Sequence, residues 1–77
     1  MDFEFYKISE NNWQIYQLKE HSRVWLASFN SISTLIDYYI KCHNLTYDTI
    51  TLKGSMLNKY ERNYYDDAKE VWKITEV

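Results

Sequence analysis

Residues 31–43 carry the strongest periodic signal in the chain. Ile32, Leu35, Ile36, Tyr39, Ile40 and His43 fall at i, i+3, i+4, i+7, i+8 and i+11, a single stripe along a helix. Ser33, Thr34, Asp37 and Lys41 fall on the opposite side, and Asn30 or Ser31 suits the N-cap, where a short polar side chain accepts from a free backbone N–H. Such a stripe needs an apolar surface to lie on, and the rest of the sequence offers alternation, the signature of strands.

Residues 2–8 alternate, with Phe3 and Phe5 about Glu4 and with Tyr6 and Ile8 about Lys7. Glu10-Asn11-Asn12 reads as a hairpin turn, because asparagine tolerates the positive φ that tight turns require. Residues 13–19 put Trp13, Ile15 and Gln17 on one face and Gln14, Tyr16 and Leu18 on the other. A polar turn at 19–22 precedes a third strand over Arg23–Phe29. Tyr47 to Lys53 alternates again and Gly54 ends it. The tail supports two patterns: Leu57, Tyr60, Tyr64, Ala68 and Val71 fit a helix, while Val71 to Val77 fits a strand. The reading that accommodates both is a helix over roughly 56–68 and a strand over 70–76. The expected fold class is therefore α+β. It is an antiparallel sheet of four or five strands with one long amphipathic helix packed across it and a second, shorter C-terminal helix, all in a single domain spanning 1–77.

Seventy-seven residues make a small core, and one cysteine allows no internal disulfide to reinforce it. What the chain has instead is aromatic mass, fourteen rings from three Trp, eight Tyr and three Phe. Rings bury large areas while Tyr and Trp keep a polar tip. So many rings in so short a chain predict that some pack inside and others face a partner. No apolar run approaches a membrane span, and Asp2, Glu4, Glu10 and Glu20 make residues 1–20 unlike a signal peptide. The expected location is cytoplasmic.

Catalytic and metal chemistry find little support. Cys42 and His43 are helix neighbours whose side chains diverge by about 100°, so they serve neither as a nucleophile–base pair nor as converging ligands. A lone Gly54 makes no phosphate cradle. Asp66-Asp67 is a solvated acidic pair in a polar stretch. The expectation is no enzyme, no cofactor and no metal site. Nucleic acid is a weak partner for a chain of net charge -2 with its bases dispersed, although aromatic strand residues could stack on single-stranded bases.

The tail points to a protein partner. Over 61–77 five acids stand against three bases, and Tyr60, Tyr64 and Tyr65 lie beside them. Rigid aromatics anchor an interface while carboxylates steer it toward a basic partner. Tyr60 and Tyr64 belong to the tail's helical stripe and are expected in the core. Tyr65 and, on the first helix, Tyr38 lie off their stripes and are expected outside. The candidate protein-binding residues are Tyr38, Tyr65, Asp66, Asp67 and Glu61.

The run Phe29-Asn30-Ser31-Ile32-Ser33-Thr34-Leu35-Ile36-Asp37-Tyr38-Tyr39, followed by Leu45, resembles the second-helix region of Src-homology-two domains, over residues 24–53. The resemblance implies phosphotyrosine-peptide binding. The family's arginine-bearing strand has no counterpart in the 23 residues upstream, and Arg23 lies outside the motif. No phosphate-binding residue therefore carries over. Abundant Phe, Tyr, Ile, Asn and Lys hint at an AT-rich genome. Together these features favour a non-enzymatic binding module, an inhibitor or adaptor from a phage or virus acting on a host or defence protein. Homodimerisation is a companion expectation. A phosphopeptide binder and a single-stranded nucleic-acid binder are the alternatives.

Overall fold

The computed structural model describes residues 2–76. Strands β1 (Asp2–Ser9), β2 (Asn12–Leu18), β3 (Arg23–Phe29), β4 (Ile50–Met56) and β5 (Glu70–Glu76) form one antiparallel sheet in the order β3-β2-β1-β5-β4. Helix α1 (Ile32–His43) follows β3, and a short helix α2 (Lys59–Tyr64) lies between β4 and β5. The α+β class and the five-stranded sheet match the sequence expectation.

Sheet order dictates the path of α1. It leaves one edge strand, β3, and must deliver the chain to the opposite edge, β4. Twelve helical residues span about 18 Å, close to the roughly 19 Å that separates the outer strands of a five-stranded sheet. Ser31 starts the helix, its side chain accepting from the Thr34 N–H at 3.3 Å, and Asn44 ends it in the left-handed region at φ 54. Leu35 and Tyr39 press into Phe3, Phe5, Trp13 and Ile15 of β1 and β2. The Tyr39 ring meets Phe3 edge-on at 5.4 Å and Phe5 at 5.8 Å, favoured geometries for aromatic pairs.

A second, smaller core fills part of the other face of the sheet, where Tyr6 and Val71 meet Leu57 and Ala68 from the β4–β5 connection. Here the structure corrects the sequence reading. The helix expected over 56–68 occupies only Lys59–Tyr64, because each end has its own stop signal. Asn58 and Glu61 cap each other's backbone N–H groups, at 2.9 and 3.1 Å, and fix the start. Asp66 and Asp67 both adopt positive φ, 55 and 64, and turn the chain out of the helix. Leu57 and Ala68 thus reach the core from the flanks of α2, and the Tyr60 and Tyr64 expected inside stand outside, 85% and 65% exposed. The fourth strand also begins later than Tyr47: Thr49 donates to the Thr46 carbonyl at 2.8 Å and accepts the Thr46 N–H at 3.2 Å, closing a single turn of 3-10 helix over Tyr47–Thr49.

Candidate docking site

The face of the sheet opposite α1 carries α2 and the second core, and what remains open there is organised by a β-bulge. Ile15 pairs with Ala27, yet the next residue, Tyr16, pairs with Trp25, leaving Leu26 as the extra residue of β3. Strict alternation would send Arg23, Trp25, Ala27 and Phe29 to the same side. The bulge instead leaves Ala27 and Phe29 against the α1 core and turns Trp25 and Arg23 to the face shared by Tyr16 and Tyr6.

Arg23 then finds a cage of tyrosines. Its guanidinium lies 4.5 Å from the Tyr64 ring centre, 5.2 Å from Tyr65 and 5.5 Å from Tyr6. It donates to the Tyr6 hydroxyl at 2.6 Å and to the Tyr64 carbonyl, a favourable place for a cation at the C-terminal end of α2. The Tyr6 hydroxyl in turn reaches the Glu4 carboxylate at 3.4 Å. Burial pushes the Tyr6 phenol far above its ordinary range, and it raises Tyr65 and Tyr16 in the same sense. Desolvation is the largest single influence on Arg23 and works against its charge, but the hydrogen bond to Tyr6 together with the attraction of Tyr6, Asp66 and Tyr64 holds the guanidinium above its usual value.

Arg23 therefore ties the edge strand β3 to the end of α2, and lysine cannot reproduce a planar fork that stacks and donates twice. Arg23→Lys is expected to destabilise the domain by about 2 kcal/mol, mainly by leaving the buried Tyr6 hydroxyl without its donor. Urea denaturation followed by circular dichroism measures this. A midpoint indistinguishable from the parent would show that the cage does not hold the two elements together.

Beside the cage lies an open pocket of about 580 Å³ whose wall includes Glu4, Tyr16, Arg23, Tyr64, Tyr65 and Lys73. Strand register places Trp25, Tyr16, Glu4, Lys73 and Lys53 in one cross-sheet row, one residue from each strand. The row runs from aromatic at the β3 edge, through a carboxylate, to a pair of lysines at the β4 edge. Trp25 is 53% exposed, its indole N–H donating to Ser28 at 3.3 Å, and Tyr64, stacked on Arg23, is the second accessible ring of this face.

The five residues singled out from sequence do not form one patch. Tyr38 is exposed on α1, near Phe29 at a ring separation of 5.2 Å, in the layer on the far side of the sheet. Tyr65, expected outside, is half-buried, meeting the Tyr6 ring edge-on at 5.4 Å. Glu61 completes the α2 capping box, and Asp66 and Asp67 make the left-handed turn. All three acids are exposed, so a structural task does not withdraw them from a partner. Glu4, Arg23, Trp25 and Tyr64 are the residues that the sequence reading passed over. The one signal for them was that Tyr6 and Ile8 follow Glu4 on its face of β1, which marks that face as partly apolar.

No family model, curated protein or solved structure matches this chain. Among the described residues no helix is long and apolar enough to cross a membrane.

Proposed function

We propose that this chain is a non-enzymatic protein-binding module, an inhibitor or adaptor of phage or viral origin directed at a host or defence protein. Its docking face is the side of the sheet opposite α1, around Arg23. The observation that carries the reading is the exposure of Trp25 on β3 and of Tyr64 at the end of α2, two large rings on the same side of the sheet, the second stacked on the caged Arg23. Rigid aromatic anchors beside a pocket are what a protein interface uses to concentrate its binding energy. Asp66 and Glu20 at the pocket rim, with Asp67 next in the turn, suit a partner that brings basic groups. The face does not include Tyr38.

The test is capture from a lysate of the prospective host by the immobilised chain and by its Trp25→Ala/Tyr64→Ala variant. Loss of two anchors should weaken a specific partner by at least about thirtyfold while the far-ultraviolet circular dichroism spectrum remains that of the folded chain. Equal capture by both forms would place the interface elsewhere. If neither form retains a specific protein, the reading fails.

The cross-sheet row favours a second reading, single-stranded nucleic acid, since Trp25 and Tyr16 could stack on bases while Lys73 and Lys53 meet phosphates. A steeply salt-dependent shift of labelled oligonucleotides would support it. The phosphopeptide alternative is less favoured, because both ends of the Arg23 fork already engage Tyr6 and Tyr64. Self-association fits the β3 edge, where Val24, Trp25 and Leu26 are exposed in succession.

A further inference from the structure

Glu4 is out of place. It lies on β1, the central strand, and is 3% exposed, the single charged residue buried to that degree among the described residues. Removing a carboxylate from water costs several kcal/mol unless close partners replace the lost hydration. Its partners here are distant: the Tyr6 hydroxyl at 3.4 Å from one oxygen and the Lys73 ammonium at 3.8 Å from the other. Lys73 is itself 69% exposed at the side chain, so its ammonium keeps most of its water and gives the acid little. Lys73 also stands directly opposite Lys53 in the β4–β5 register, a like-charge pairing that discourages it from settling there. A group that breaks the local rules of burial in this way marks a place built for something else.

The surroundings of Glu4 say what that is. The carboxylate lies in the wall of the open pocket, together with the rings of Tyr16 and Tyr65 and, at the rim, Asp66. Aromatic faces and an under-solvated acid together recognise a cation, and a planar guanidinium uses both, stacking on the rings while donating to the carboxylate. Of the pocket's own bases, Arg23 already lies against Tyr6, Tyr64 and Tyr65, but Glu4 has its ion pair with Lys73. Arg23 spends its donors on Tyr6 and the Tyr64 carbonyl, and Lys19 is exposed.

We propose that the Glu4 pocket receives an arginine side chain of the partner protein, whose guanidinium displaces Lys73 from the carboxylate and lies against the Tyr16 ring, beside the Tyr65 ring that Arg23 already covers. The proposal rests on the protein-binding reading and adds to it the chemistry of the side chain that enters. Within the pocket, acids and bases balance, so selection comes from the buried acid at short range rather than from net field. A neutral isostere of arginine should fail, and so should a small anion.

The experiment is a titration of the ¹⁵N-labelled chain, followed by amide shifts, with a capped Gly-Gly-Arg-Gly-Gly peptide, with the same peptide carrying citrulline, and with inorganic phosphate. The arginine peptide should give saturable, millimolar shifts at Glu4, Tyr16 and Tyr65, and the citrulline peptide none. Glu4→Gln should weaken the arginine peptide about tenfold, the loss expected for a charge-assisted hydrogen bond. Lys73→Met should tighten it several-fold, since the competing ammonium is gone, and a merely structural lysine would not produce that gain. Equal binding of citrulline, no change with Glu4→Gln, or saturation by phosphate in place of arginine overturns the proposal. If Glu4→Gln does not fold, Lys73→Met decides alone: tighter binding supports the site, and unchanged or weaker binding overturns it. A partner whose capture depends on Trp25 and Tyr64 but not on Glu4 would overturn this pocket while leaving the docking face in place. Saturation by the arginine peptide without any captured partner would do the reverse.

Discussion

Phe5→Ala is expected to destabilise the domain by about 4 kcal/mol, enough to leave most molecules unfolded at room temperature. Phe5 is fully buried on the central strand, paired in register with Ile15 on one side and Trp72 on the other. Its ring closes against Tyr39 of α1, so truncation opens a cavity where sheet and helix meet. Cores as small as these supply only about 3–5 kcal/mol of net stability, and the lone Cys42 allows no internal disulfide to add to it. Tyr60→Ala removes a ring that is almost wholly in water and should change stability by less than about 0.5 kcal/mol. Urea denaturation followed by tryptophan fluorescence compares the two. A cooperative transition for Phe5→Ala within about 1 kcal/mol of the parent would mean that α1 does not pack where the structure places it.

Gly54→Ala is expected to cost about 2–3 kcal/mol, a large effect for one methyl group on an edge strand. Gly54 faces Trp72 across the β4–β5 pair, and the indole lies over its backbone. A Cβ there would fall 2.6 Å from Trp72 Cζ2 and nearer still to Cε2 and Cδ2. The indole cannot simply swing away: it packs against the α1 core, near Trp13 at 6.3 Å, and its N–H donates to Glu70 at 3.2 Å. Glycine is needed here for space and not for backbone freedom, since its φ is not positive. Trp72→Leu in the Gly54→Ala background should therefore recover part of the loss. If Gly54→Ala alone melts with the parent, the indole does not lie over the strand.

How much of this was legible in the residues follows from how local each cause is. The stripe from Ile32 to His43 and the alternation of Phe3 and Phe5 are local, and α1 and the first hairpin appear where those patterns put them. The sheet order is not local, yet a long helix after three strands already demanded a wide apolar surface. The tail misled because Leu57, Tyr60, Tyr64 and Ala68 share a helical period, while the stops that override it are capping at Asn58 and two left-handed aspartates. Neither stop is visible to a count of apolar spacing. The docking face was hidden for a similar reason. One extra residue at Leu26 reverses the facing of Trp25 and Arg23, and alternation read from sequence cannot register an insertion whose partner strand is unknown. Tyr65 and Tyr64 exchange their expected roles because α2 is cut short at Tyr64: the first supports Tyr6 and the second meets solvent.

Strand β5 lies between β1 and β4 and not at a margin, with Glu4 facing Lys73 and Tyr6 facing Val71. Vectorial synthesis on the ribosome therefore completes the first hairpin, α1 and β4 while β1 still lacks one neighbour. That flank can close only when β5, made after the other four strands, slots in and brings Lys73 opposite Glu4. Chain topology of this kind slows folding relative to a helical bundle of the same size, and it leaves the nascent molecule with a vacant central slot that a foreign strand could occupy.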